Sequence, residues 1–146
     1  MRLRLTTLIT LTLAAAPLAA EEPSPPPPHI MPAQTIVGAW KWTVKSNECT
    51  ETYFYGKDGS LSVTSGDEET KQTYTIDPKP EPNGRYKITK KVIEDYGGRD
   101  CSDSDEDNTG QSTTIYVLFD RTGKRLIECF SPDGNDCIGP MRKISN

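Results

Sequence analysis

The sequence predicts an all-β chain: an antiparallel meander of about eight short strands, closed into a small barrel and stapled by disulfides. Three observations carry this. Apolar residues recur with period two in one segment after another. Gly, Pro, Asn and Asp clusters separate those segments at short intervals. Four cysteines stand in a chain of low apolar content, 34%, against roughly 45–50% in ordinary domains on a count that includes Gly. No segment carries a helical period, and no internal repeat is present.

The elements follow in order. In residues 36–45, Ile36, Gly38, Trp40, Trp42 and Val44 share one phase while Lys41, Thr43 and Lys45 take the other, the pattern of a half-buried strand. Residues 50–55 are Thr- and aromatic-rich. Lys57-Asp58-Gly59-Ser60 turns the chain, and residues 61–64 return. Residues 70–76 form a fourth strand, stopped by Asp77-Pro78. Pro80, Pro82, Asn83 and Gly84 mark a loop. Residues 85–93 alternate through Tyr86, Ile88 and Val92, with a bulge expected at Lys90-Lys91. A long acidic loop, 95–110, precedes a clear strand at 112–119. Arg121-Thr122-Gly123-Lys124 turns into a strand at 126–130, and Pro132-Asp133-Gly134-Asn135 turns into the last, 137–144. Closure of such a meander removes edges that invite aggregation.

Ahead of the strands lie two other segments. Arg2 and Arg4 followed by an uncharged, mostly apolar run over 5–20, ending Leu18-Ala19-Ala20, read as a signal peptide over 1–20. The run is shorter than the ~20 residues of a membrane-spanning helix. Residues 21–35 are a Pro-rich tether containing four consecutive prolines and the only histidine, His29. The folded domain is expected over 36–145. Loss of the leader removes two Arg and no acid, so the net charge of −4 becomes more negative still. An acidic chain of mean hydropathy −0.63 is a poor partner for nucleic acid, and no membrane span is expected after cleavage.

Cys49, Cys101, Cys129 and Cys137 are even in number in a chain read as periplasmic or secreted, so disulfides are expected. Three pairings exist. Cys129–Cys137 flank one turn and are favoured, which leaves Cys49–Cys101. The chain-entropy argument assigns about 4 kcal/mol to the long closure and about 2.5 kcal/mol to the short one. A zinc site is disfavoured, since no C-x-x-C and no structured His is present.

The same census argues against an enzyme. His-based acid–base and nucleophilic centres lack their histidine, and no G-x-S-x-G, phosphate loop or H-E-x-x-H occurs. Glu51, Glu94 and Glu128 lie on expected strands, and two such carboxylates could form a glycosidase-like pair, though a solvent-facing strand Glu is far commoner. In the acidic loop Asp103, Asp105 and Asp107 offer a weak calcium site, but the spacing is not that of an EF-hand, because Tyr116 stands where the bidentate Glu belongs. No cofactor is expected.

Gly38-Ala39-Trp40 at the start of the first strand resembles the G-x-W signature of the lipocalins and their calycin relatives. The resemblance implies a barrel closed at one end by Trp40, with a basic residue of the last strand across the indole; Arg142 takes that place by position. The family's T-D-Y turn and C-terminal helix are absent and the domain is shorter, so the barrel is expected to be filled by its own side chains rather than to hold a roomy cavity. In size and cysteine use the chain is also similar to small exported bacterial barrels that inhibit lysozyme.

The leading expectation is therefore a non-enzymatic, exported β-barrel binding module, its ligand a small apolar molecule or a protein. The second is an acidic inhibitor or interaction protein that presents residues 103–107 to a basic partner such as lysozyme. The third is a small carboxylate hydrolase. Trp40, Trp42, Tyr53, Tyr55, Ile88, Val117 and Leu126 are the expected core or cavity lining.

Overall fold

A computed structural model describes residues 35–146. The leader, the tether and His29 lie outside the described residues, apart from Thr35 at the tether's end. Eight strands follow one another: β1 (Gly38–Thr43), β2 (Thr50–Tyr55), β3 (Ser60–Ser65), β4 (Glu68–Ile76), β5 (Tyr86–Asp95), β6 (Ser112–Phe119), β7 (Arg125–Cys129) and β8 (Cys137–Ser145). Each pairs antiparallel with the next, and β8 pairs back onto β1, closing the barrel. Both expected disulfides are present, Cys49–Cys101 and Cys129–Cys137.

Period two places the core. Trp40, Tyr55, Leu61, Ile88, Ile115, Val117, Leu126 and Met141 are buried inside, which is where alternation points them. Tyr53 is buried too, while Trp42 is only half-buried against the cluster. Ile36, just before β1, is fully buried and its carbonyl accepts the Trp40 Nε1–H at 2.7 Å, so the indole leaves no unpaired donor inside. Gly38 has φ +115°, and a Cβ there would come within 2.3 Å of the Ser145 carbonyl oxygen. Only glycine fits where the chain ends cross that closely.

The register corrects one expectation. The bulge in β5 is not at Lys90-Lys91. Lys71 faces Glu94 and Gln72 faces Val92, so the extra residue is Ile93, left 47% exposed. Lys90 therefore keeps the phase of Ile88 and points into the barrel, 8% exposed. On β8 two further shifts occur. One places Gly139 and Pro140 out of step between partners of Leu126 and Glu128, where a residue without an N–H is tolerated. The other bulges Ile144 outward.

Candidate functional site

Followed along the barrel axis, the inward positions change character. At the β1 start they are aromatic and aliphatic: Tyr55, Leu61, Val117, Leu126 and Met141 around Trp40. Further along the same strands they become Glu51, Ser65, Thr70, Lys90, Thr113 and Glu128. These line a cavity of about 240 Å³, together with Glu68, Gln72, Asp100, Asn108 and the ring of Tyr53. The barrel is thus plugged at one end and forms a polar cup at the other.

At the floor of the cup, Lys90 Nζ sits 2.9 Å from Glu128 Oε2, both side chains almost fully buried. Lys90 also donates to Glu128 Oε1 at 3.0 Å, and the Tyr55 hydroxyl donates to the same oxygen at 2.9 Å. The ammonium lies over the rings of Tyr53 and Tyr55, 4.9 and 5.5 Å from their centroids. Burial, with the Glu128 charge next, pushes both tyrosine hydroxyls well above their usual range. Both therefore remain donors rather than phenolates.

One wall holds Glu51, which accepts from the Tyr53 hydroxyl at 2.6 Å and from Ser65 Oγ at 3.0 Å. Ser65 Oγ in turn accepts the Cys101 backbone N–H at 3.0 Å. The Cys49–Cys101 bond and a hydrogen bond from Asn47 Nδ2 to the Cys101 carbonyl, 2.9 Å, pin the acidic loop to this rim. Gly98 permits the approach of that loop to the β3–β4 turn: a Cβ would lie 2.3 Å from the Asp67 carbonyl oxygen. Among the described residues the Glu68 carboxylate has one long contact, from Asn108 Nδ2 at 3.4 Å. Burial and the neighbouring charges of Asp95 and Asp100 push its carboxyl up.

The acidic loop uses its carboxylates to build itself. Asp100 accepts the backbone N–H groups of Ser102 and Ser104, each at 2.8 Å. Burial pushes its carboxyl up, but these bonds outweigh it and hold the group low. Asp107 accepts from Thr109 N–H, and Asp103 pairs with Arg99 at 2.6 Å. The weak calcium reading of Asp103, Asp105 and Asp107 is not supported: among the described residues no three His, Cys, Asp or Glu side chains are gathered as a metal ion needs. The loop's carboxylates are Asx caps instead.

The three glutamates expected for a carboxylate pair part company. Glu94 is outside, in a surface pair with Lys71 at 3.1 Å; Glu51 and Glu128 share the cup. Arg142 is corrected as well. It points outward, because period two alternates it with the inward Met141 and Lys143. The cation over the Trp40 ring is Lys143, 5.3 Å from the centroid, donating to the Thr35 carbonyl at 2.9 Å. The expected pairing of Trp40 with a last-strand cation is kept one residue later than its assignment.

The chain matches no protein-family model, no curated protein and no solved structure. Lys90, Glu68, Thr70 and Asn108 are site residues that sequence reasoning missed. The signal for Lys90 was its even phase with Tyr86, Ile88 and Val92.

Proposed function

We infer that this chain is an exported, non-enzymatic interaction module whose cup receives the basic side chain of a partner protein. One observation carries the reading. Three acids, Glu51, Glu68 and Asp100, are among the residues lining a cavity of side-chain size, and the one cation among the described residues of that lining, Lys90, is already engaged by Glu128. A lysine or arginine side chain brings the missing positive charge, and Tyr53, Gln72 and Thr70 offer further polar contacts. The small apolar ligand of the leading expectation is less well served, since the apolar end of the barrel is occupied by Trp40 and its neighbours.

The two disulfides fit an oxidising compartment, and export by the leader follows from the same reading. Kinship with the lipocalins rests on Gly38, Trp40 and the closing cation, here Lys143. A hydrolase has less support. Both Glu128 oxygens are taken by Lys90, and one of them also accepts from Tyr55, so Glu128 offers Glu51 no free carboxyl for a catalytic pair.

The test is binding of lysozyme, a cationic protein, at rising ionic strength, with methylguanidinium as competitor. Affinity that falls with salt, is competed by methylguanidinium, and drops about tenfold in Glu51→Gln and Glu68→Gln is expected. Binding indifferent to those substitutions would overturn the cup as the site, and no binding to any basic protein at low salt would remove the function.

A further inference from the structure

The outer wall carries a second feature, independent of the cup. Arg125 on β7 stands directly opposite Arg142 on β8, and Arg142 stands directly opposite Lys41 on β1. All three are exposed. Three cations thus cross three neighbouring strands in single file, ~4.8 Å apart at the backbone. Like charges directly across a sheet repel, and none of the three has an ion-pair partner among the described residues. Asp120, across from Arg125, accepts from Thr122 Oγ1 and from the backbone N–H groups of Lys124 and Arg125 and forms no ion pair with the Arg125 guanidinium.

Beside the file lies a groove. The β1–β8 ladder stops at Lys41–Arg142, and past it the two strands leave a trough lined by Trp42, Pro140 and Ile144 with Lys41, Lys45 and Arg142; Glu48 is the one acid there. Trp42 is half-buried, packed against the core on one side, and is among the residues that line the trough. An anionic chain that also presents flat, weakly polar faces matches this combination. The cations take its carboxylates, Arg142 in a two-pronged bond, while the indole takes a ring face. The repeat of the file is close to the length that one pyranose residue adds to an extended chain.

We propose that the Trp42 groove and the Lys41–Arg142–Arg125 file bind a short anionic oligosaccharide, a uronic-acid chain with one carboxylate per sugar. A short ligand is specified because the molecule is acidic as a whole. A long polyanion would meet that repulsion, whereas within about 10 Å at 0.1 M salt the local cations dominate.

The test titrates the full chain with a galacturonate hexamer at low salt, reading tryptophan fluorescence and calorimetry. Maltohexaose serves as the neutral control. Expected are a change in Trp42 emission, affinity that falls with salt, no binding of maltohexaose, and about a tenfold loss in Arg142→Gln, with a smaller loss in Lys41→Gln. Both substitutions are on the surface and leave the cup untouched, so lysozyme binding is retained in them. No binding of the hexamer, equal binding by the variants, or binding only to phosphatidylglycerol vesicles would overturn the proposal.

Discussion

At the Trp40 end of the barrel the inward residues are Tyr55, Leu61, Ile88, Val117 and Leu126. Two or four positions along the same five strands they are Glu51, Ser65, Lys90, Thr113 and Glu128. Antiparallel pairing runs through both ends, and what differs is the source of stability. The first end relies on removing apolar surface from water, about 25 cal/mol per Å². The second buries polar and charged groups, which cost free energy unless each finds a partner. Both disulfides belong to this second end: Cys129 follows Glu128 in β7, and Cys101 donates to Ser65 of the cup. Covalent closure stands where apolar burial is thinnest, and a rigid polar cup is the result.

Substitutions at matched depths test this contrast. Trp40→Ala empties the plug and removes the ring under Lys143, so a loss of ~3–5 kcal/mol is expected by urea unfolding. Glu128→Leu at the other end leaves Lys90 buried without its carboxylate, and a loss of similar size, ~3–5 kcal/mol, is expected. The two then diverge. Adding Lys90→Met to Glu128→Leu removes the stranded charge, and the double variant should return to within ~1 kcal/mol of the parent. No second substitution next to Trp40 should restore Trp40→Ala so fully. A double variant as unstable as Glu128→Leu would show that the ion pair itself, rather than its burial unpaired, holds the cup together.

The staples come next. Replacing Cys49 and Cys101 by Ala is expected to cost about 4 kcal/mol, and replacing Cys129 and Cys137 about 2.5 kcal/mol, because the first closes the longer loop. Against a total of ~5–15 kcal/mol, either loss is large. Only the first releases the acidic loop from Ser65, so it alone should also abolish binding at the cup. Equal effects on lysozyme binding would argue that the acidic loop has no part in the site.

The plug was legible and the cup was not, for a physical reason. Apolar alternation reports burial, and it placed Trp40, Tyr55, Ile88, Val117 and Leu126 inside, with every strand located to within two or three residues at its ends. Polar alternation is silent, because Lys90 or Glu128 on an inward phase reads like any solvated charge until a partner from another strand is seen. The Lys90-Lys91 pair interrupts the apolar run of β5 and suggests a bulge there, whereas the phase holds through Lys90 and the bulge falls at Ile93. The lipocalin resemblance puts Arg142 across Trp40. Counting phase from Met141 selects Lys143 instead. The turn chemistry around Cys129 and Cys137 favours their pairing, and the structure has it, since a hairpin brings its flanks together whatever lies inside.

Glu68 gives the smallest effect and the sharpest test of the cup's charge. Burial, with Asp95 and Asp100 after it, raises its carboxyl above the unfolded value. The folded chain therefore binds the proton more tightly than the unfolded chain. Between the two titrations stability falls as pH rises, and at neutral pH the charged Glu68 is a net cost. Its side chain is partly solvated, so the cost is a few tenths of a kcal/mol, not more. Glu68→Gln should then raise the melting temperature by ~2 °C at pH 7, and the gain should vanish in acid below the unfolded carboxyl range, where the parent is protonated too. Asp100 has the opposite sign. Its carboxyl is held low by Ser104 and Ser102 against the upward push of burial, so Asp100→Asn should destabilise at neutral pH, with the difference lost as pH falls through the folded value. A bound cation reverses the first effect and leaves the second in place. With lysozyme present in excess, Glu68→Gln should become the less stable protein, because the parent then gains the linkage term of a filled cup. Persistence of the Glu68→Gln advantage in saturating lysozyme would mean that the crowded carboxylates are relieved by no partner, and that the cup is only a rim of solvated acids.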